Sequence, residues 1–190
     1  YIEFRPLDPW YRFHFHTGQS FDYRASIEDT NSEIRKFSTE DVHGYKRLLE
    51  TSKSIFDVGF SKLAAEPFTR FSNMVKQVPS LLKLQSYYTV AGLVGKHINH
   101  PLIRRAFSIH PLLVGGNPFS TTSIYALIHY LERRWGVHFT MGGTGKLVAE
   151  LGALLERSGV EILLNHDVTE LRIKDKKIVE ALTANGKSIK

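Results

Sequence analysis

Residues Trp135–Val168 read WGVHFTMGGTGKLVAELGALLERSGVEILLNHDV, and the order of elements encoded there decides the fold. Val137-His138-Phe139 alternates as a strand does. Gly142-Gly143-Thr144-Gly145 is a turn, and Leu147, Val148, Leu151, Leu154 and Leu155 recur at helical spacing. Gly159 stands where a helix end favours a residue that tolerates positive φ. Val160-Glu161-Ile162-Leu163-Leu164 follows as a nearly continuous apolar run, the pattern of a buried strand. Beyond the Asn165-His166 turn, Val168–Ile173 and Ile178–Ala184 alternate on either side of Asp175-Lys176, and Asn185-Gly186 offers a second hairpin turn. Strand, glycine turn, helix and hairpins in succession predict an α+β chain whose last strands run on into further structure.

A turn so rich in glycine raises the question of nucleotide binding, and spacing answers it. A dinucleotide fingerprint needs glycine where Val148 stands, and a phosphate loop needs Ser or Thr where Leu147 stands. Neither motif is present. What remains is a turn that lets backbone pass close to a neighbouring layer, with peptide N–H groups at a helix start able to face a cofactor without side chains between.

Composition sets the outer limits. The 190 residues are 42% hydrophobic and 23% charged, as in a folded domain. The net charge of +6 comes without a basic run of five or more, so solvated charge is favoured over nucleic-acid binding. Cys is absent, which excludes disulfides, thiolate nucleophiles and thiolate metal sites. No apolar run reaches bilayer-spanning length, and Tyr1 opens in what reads as mid-strand without a signal or transit pattern.

Upstream, Tyr1–Tyr23 reads as β. Tyr11, Phe13 and Phe15 share one strand face, and Arg12, His14 and His16 the other. His14 and His16 lack a third ligand at partner spacing, so no metal site is assigned. From Ile27 to His110 the pattern is helical. Ser38 with Asp41 predicts a capping box, opening a helix to about Leu63 with Val42, Tyr45, Leu48, Leu49, Ile55 and Phe56 along one stripe. Pro67 stops it, Phe71–Val78 forms a short helix, and Pro79 starts another running to His97. That helix carries Leu81, Leu82, Leu84, Tyr87, Tyr88, Val90, Leu93 and Val94, and it reads equally as core or as an interfacial helix. Pro101 begins a helix with Arg104, Arg105 and Phe107. A break at His110–Phe119 follows, then a helix capped by Ser120 or Thr121 whose stripe is Ile124, Leu127, Ile128 and Leu131, ending at Trp135 with Gly136 beyond it.

The run FSIHPLLVGGNPFSTTSIYALIHYLERRWGVHFTMGGTGKLVAELGALLERSGVEILLNHDVTEL, with YRFHF, DVHGYKRLLE and PSLLKLQSYYTVAGLV in order ahead of it, resembles the bacterial phytoene desaturases, the CrtI-type carotenoid desaturases of the flavin amine oxidase superfamily. LLVGGNPF and GGTGKLV are its most specific parts. The resemblance implies an internal fragment of a two-domain FAD-dependent oxidoreductase: a mixed helical and antiparallel-sheet substrate domain over 1–158, and strands over 159–190 crossing into a Rossmann-like FAD domain. It implies FAD as cofactor, with Val168 presenting backbone to the adenine and Gly142 and Gly143 passing near the flavin. It also implies a phytoene-like polyene substrate, held by apolar burial at about 0.8 kcal/mol per CH2. Phe107, Leu112, Leu113, Asn117, Phe119, Tyr125, Phe139, Thr144 and Gly145 are the substrate-contact candidates, and no catalytic side chain is singled out. Such a substrate resides in the bilayer, so a cytoplasmic enzyme bound peripherally to the inner face of the cell membrane is expected. His138, Thr140 and Met141 stand where many relatives have an aromatic residue, Pro and Arg, and Lys146 replaces a common small residue; substrate length and step number stay open. Another flavin oxidoreductase of the superfamily, or a non-enzymatic basic module for lipid or nucleic acid, is the alternative. A glycine fingerprint ahead of Tyr1 separates the enzymes from the module.

Overall fold

The computed structural model describes residues 2–60 and 87–189. The predicted helix end near Leu63, the stop at Pro67, the Phe71–Val78 helix and the start of the Pro79 helix lie outside the described residues. The chain is α+β, with helices and small antiparallel sheets. It divides into two compact units, one of Arg5–Phe139 and one of Tyr1–Phe4 with Thr140–Lys190. The helix after the glycine turn thus groups with the C-terminal strands.

The strand β1 (Phe4–Pro6) spans the boundary at Phe4, and the larger unit continues with the hairpin β2 (Tyr11–His14) and β3 (Ser20–Tyr23), paired Tyr11 to Tyr23 and Phe13 to Phe21. Alternation works as predicted: Tyr11, Phe13 and Phe15 are half-buried, while Arg12, His14 and His16 are exposed. Four helices follow among the described residues of this unit, α1 (Ile27–Arg35), α2 (Glu40–Gly59), α3 (Val90–His97) and α4 (Pro101–Phe107). Two short 3-10 turns, His110–Val114 and Ser123–Ala126, lead to α5 (Leu127–Trp135). Gly136 takes positive φ at its end, as the sequence predicts.

The core is aromatic. Phe107 stacks on Tyr45 at 4.9 Å and meets the edges of Phe21, Tyr23 and His129 at 5.6, 5.4 and 5.6 Å. Tyr45, Leu48, Ile55 and Phe56 deliver the predicted buried stripe of α2.

Three local expectations fail for long-range reasons. Ser38 does accept the Asp41 N–H at 3.2 Å, but the returning arm of a capping box is missing. The buried Asp41 carboxylate instead accepts the N–H groups of Asn99 and His100 at 2.8 and 2.7 Å, clamping α2 to the start of α4. The helix predicted to run through Tyr87 and Tyr88 starts at Val90. Thr89 is extended, bridges Thr122 and caps the Gly92 N–H. Val90, Leu93 and Val94 are fully buried, so these three apolar residues of the segment are core, while Tyr87 is exposed. On α5 and the turn before it, Ser123, Ala126, His129 and Glu132 are buried, whereas Ile124, Leu127, Ile128 and Leu131 are only half-buried; the cap is Thr122, not Ser120 or Thr121. A polar row points inward because partners for it exist there.

In the smaller unit, α6 (Gly143–Arg157) precedes the meander β5 (Val168–Lys174), β6 (Lys177–Thr183) and β7 (Ser188–Ile189). Asp175 and Lys176 both take positive φ in the predicted two-residue hairpin turn. Val160–Leu164 forms no strand, contrary to prediction, and Val160, Ile162 and Leu164 are exposed. A buried strand needs neighbours on both edges, and no described strand pairs with this run.

Gly44 lies where α2 crosses the end of α3, and a Cβ there would overlap the His97 carbonyl oxygen. Gly44→Ala is expected to cost about 1–3 kcal/mol by overpacking. Gly152→Ala, in α6 with nothing within 4 Å of an added Cβ, should stabilise by up to about 1 kcal/mol. Chemical denaturation of the two variants checks both signs.

Candidate functional site

The larger unit holds an apolar cleft of about 490 Å³. One wall is β2 and the residue after it, contributing Phe13 and Phe15. The other is the segment after α4, contributing Ile109, Leu112, Pro118 and Phe119, with Ala106 of α4 also lining the cleft. Arg12, His14, Arg104 and Arg105 contribute the basic part of the lining. Arg12 makes a two-pronged pair with Asp22 at 2.7 and 2.8 Å, and this guanidinium holds the Asp22 carboxyl below its ordinary range against the opposing effect of burial. Arg104 donates to the Ile98 and Asn99 carbonyls.

The LLVGGNPF stretch builds its wall by local chemistry. Gly115, at φ 70°, ends the 3-10 turn, and the Gly116 N–H returns to the Pro111 carbonyl at 2.8 Å. Asn117 accepts the Phe119 N–H on its side-chain oxygen at 2.9 Å. Its amide is thereby committed to the turn, and Phe119 is left 76% exposed.

Of the predicted substrate contacts, Leu112 and Phe119 line the cleft together. Leu113 is equally exposed but does not line it. Phe107 is in the core, stacked on Tyr45, and Tyr125 packs half-buried against that core. Phe139 is exposed in β4 (His138–Thr140), which pairs with β1.

Gly142, Gly143, Thr144, Gly145 and Val168 belong to the smaller unit. Gly142 and Gly143 take φ of 86° and 80°, conformations that L side chains resist. An added Cβ at Gly143 or Gly145 would meet nothing within 4 Å. Close approach of a flat ring to that backbone would need such open space.

The interior of the larger unit holds a buried polar cluster that the sequence did not announce. Tyr11 donates to Glu132 Oε1 at 2.6 Å, and His110 Nε2 lies 3.1 Å from Glu132 Oε2. His129 Nε2 is 3.0 Å from the Phe107 carbonyl and its Nδ1 is 3.5 Å from the Tyr23 hydroxyl. Tyr45 donates to Tyr23 at 3.3 Å, and Arg133 donates to Tyr45 at 2.9 Å. Burial raises the hydroxyl pKa of Tyr11, Tyr23 and Tyr45, so all three stay protonated. Burial, and then the charge of neighbouring His110, pushes His129 well below the ordinary imidazole range. The usable signal was His129 and Glu132 three residues apart, on one helix face.

Residues 2–190 match the Flavin containing amine oxidoreductase family. The chain belongs to that family. It is 42% identical over 187 residues to a phytoene desaturase (lycopene-forming) of Pseudescherichia vulneris, covering 98% of this chain and 38% of that protein. It is 40% identical over 187 residues to one from Pantoea ananas, covering 98% and 38%. A phytoene desaturase (neurosporene-forming) from Cereibacter sphaeroides is 30% identical over 185 residues, covering 97% and 35%. The chain thus spans little more than a third of the length of these relatives. Family membership implies a flavin cofactor, FAD.

Core and cleft aromatics separate by stability. Phe107→Ala should cost about 3–5 kcal/mol, whereas Phe119→Ala should stay within about 0.5 kcal/mol of the parent, read by denaturant unfolding. Acid supplies a second check. Native His129 stays neutral while the unfolded imidazole takes a proton below about pH 6.5, so its contribution is complete above that pH and is lost as pH falls, by about 1.4 kcal/mol per unit. Half-buried His97, lowered by burial and by Arg47 and Lys96, acts in the same direction. Unfolding measured from pH 7.5 to 5 should show the slope reduced by about one proton in His129→Gln, without disappearing.

Proposed function

We propose that this chain is the substrate-handling segment of an FAD-dependent phytoene desaturase, which introduces double bonds into a C40 polyene precursor in carotenoid biosynthesis. The observation that carries this is the apolar cleft walled by Phe13, Phe15, Ile109, Leu112, Pro118 and Phe119, in a chain related over nearly its whole length to phytoene desaturases. A polyene offers no polar handle, so its binding free energy comes from apolar burial, which this lining provides.

FAD, when bound, supplies the hydride acceptor. The chain's own residues contribute position and dryness. Leu112 and Phe119 hold the hydrocarbon and exclude water, the Gly143 backbone leaves room for a flat ring with Gly142 beside it, and Val168 offers peptide groups to an adenine. Leu151, Leu154 and Leu155 of α6, with Leu171, Ile173 and Ile178 of the hairpin, are exposed. In a two-domain flavoprotein the remainder of the polypeptide covers them. A membrane location, peripheral on the inner face of the cell membrane, agrees with a substrate dissolved in lipid and with exposed Leu112, Leu113, Val114 and Phe119 near Arg104 and Arg105 in sequence. Among the described residues no helix is long and apolar enough to cross a membrane.

The test is to express the complete gene product in bacteria that accumulate phytoene and to resolve the extracted polyenes by absorbance. Phytoene should fall as longer conjugated products appear. Leu112→Asp should cut turnover by about tenfold or more with flavin content retained, because a charge enters an apolar site. Flavin-loaded protein that leaves phytoene untouched would overturn the proposal.

A further inference from the structure

We propose that Glu132 is a positioning residue that braces both walls of the cleft and so sets its width for the hydrocarbon chain. The proposal rests on the cleft being the polyene site. Glu132 is buried on α5, and its two carboxylate oxygens take bonds from the side chains of two residues that adjoin opposite walls in sequence, Tyr11 and His110. Tyr11, at 2.6 Å from Oε1, directly precedes the Arg12–Phe15 wall. His110, at 3.1 Å from Oε2, starts the turn that carries Leu112.

Contrast with Asp41 shows why this is more than satisfied burial. Asp41 accepts two consecutive backbone N–H groups and clips one helix start. Glu132 instead joins two side chains from elements 99 residues apart in sequence, Tyr11 and His110. Its oxygens both accept, so His110 Nε2 is the donor. His110 Nδ1 is then buried with no partner. The His110 ring has little freedom to move away, being set edge-on against His129 at 4.1 Å and Tyr11 at 6.4 Å. An apolar residue at position 132 could fill the space without holding either wall at a defined distance, because dispersion contacts are non-directional and two directed hydrogen bonds are not.

The experiment uses the complete flavin-loaded enzyme and the variants Tyr11→Phe, Glu132→Gln, their double and Leu112→Asp. Steady-state turnover of phytoene in liposomes is measured beside fluorescence binding of parinaric acid, a conjugated polyene acid, with flavin content and Tm recorded for each. Tyr11→Phe and Glu132→Gln should each raise KM and the probe Kd by about fivefold with kcat held within about twofold, and the double should be no worse than the Glu132 variant because one shared bond is lost. A loss confined to kcat, additive effects, or a lowered Tm with KM and Kd unchanged would overturn the brace. If Glu132→Gln does not fold, Tyr11→Phe, which keeps the ring and removes only the hydroxyl, carries the same test. Should Leu112→Asp also leave KM and Kd unchanged, the cleft assignment itself falls and the brace with it; if Leu112→Asp weakens both while the Tyr11 and Glu132 variants do not, only the brace falls.

Discussion

The larger unit is organised around the guanidinium of Arg133. It donates to the carbonyls of Arg24 and Ala25 at 2.6 and 2.7 Å, to the Thr30 hydroxyl at 2.9 Å and to the Tyr45 hydroxyl at 2.9 Å. Its face lies over Trp10 and Tyr23 at 4.4 and 4.7 Å from the ring centres. One side chain thereby ties the end of the first hairpin, α1 and α2 to α5. A planar cation with five fixed donors can serve that many acceptors while stacking on aromatics, and lysine cannot.

The neighbouring Glu132 points elsewhere on the same helix, so α5 presents both signs of charge to the interior at adjacent positions. Each is matched by groups brought from distant sequence. The cost of burying such charges is large when they are unpaired and is offset here by directed hydrogen bonds, which fix geometry more tightly than apolar packing alone. The cleft inherits that rigidity: its β2 wall and its Leu112 wall both lead back to residues that bond to Glu132.

The smaller unit differs in kind. Its turns are well formed, yet the apolar positions of α6, of Val160–Leu164 and of the hairpin are exposed. The same periodicity that buries Tyr45 and Leu48 on α2 leaves Leu151 and Leu154 on the surface of α6. Amphipathic pattern states which face seeks cover, and the cover itself must come from another element. This agrees with a chain spanning 38% of its Pseudescherichia vulneris relative's length.

Sequence alone determined the features whose physics is local. Pro101 starts a helix, Gly136 and Gly159 end helices at positive φ, and Asp175-Lys176 reverses a hairpin, because each turn or cap is settled within a few residues. The alternation of Tyr11, Phe13 and Phe15 against Arg12, His14 and His16 followed from the two-residue period of a strand. Leu112 and Phe119 were named through the family resemblance, and the structure lines one cleft with both. Tertiary structure decided the rest. Phe107 looked like Phe119 in sequence and became core because Tyr45, Phe21 and His129 converge on it. Asp41 looked like a cap and became a clamp because Asn99 and His100 arrive beside it. Glu132 drew no reading from the sequence and is buried where Tyr11 and His110 meet it. Val160–Leu164 had the composition of a strand, and no described strand pairs with it. Burial and pairing are properties of contacts between residues far apart in the chain, and no local pattern encodes which partners will arrive.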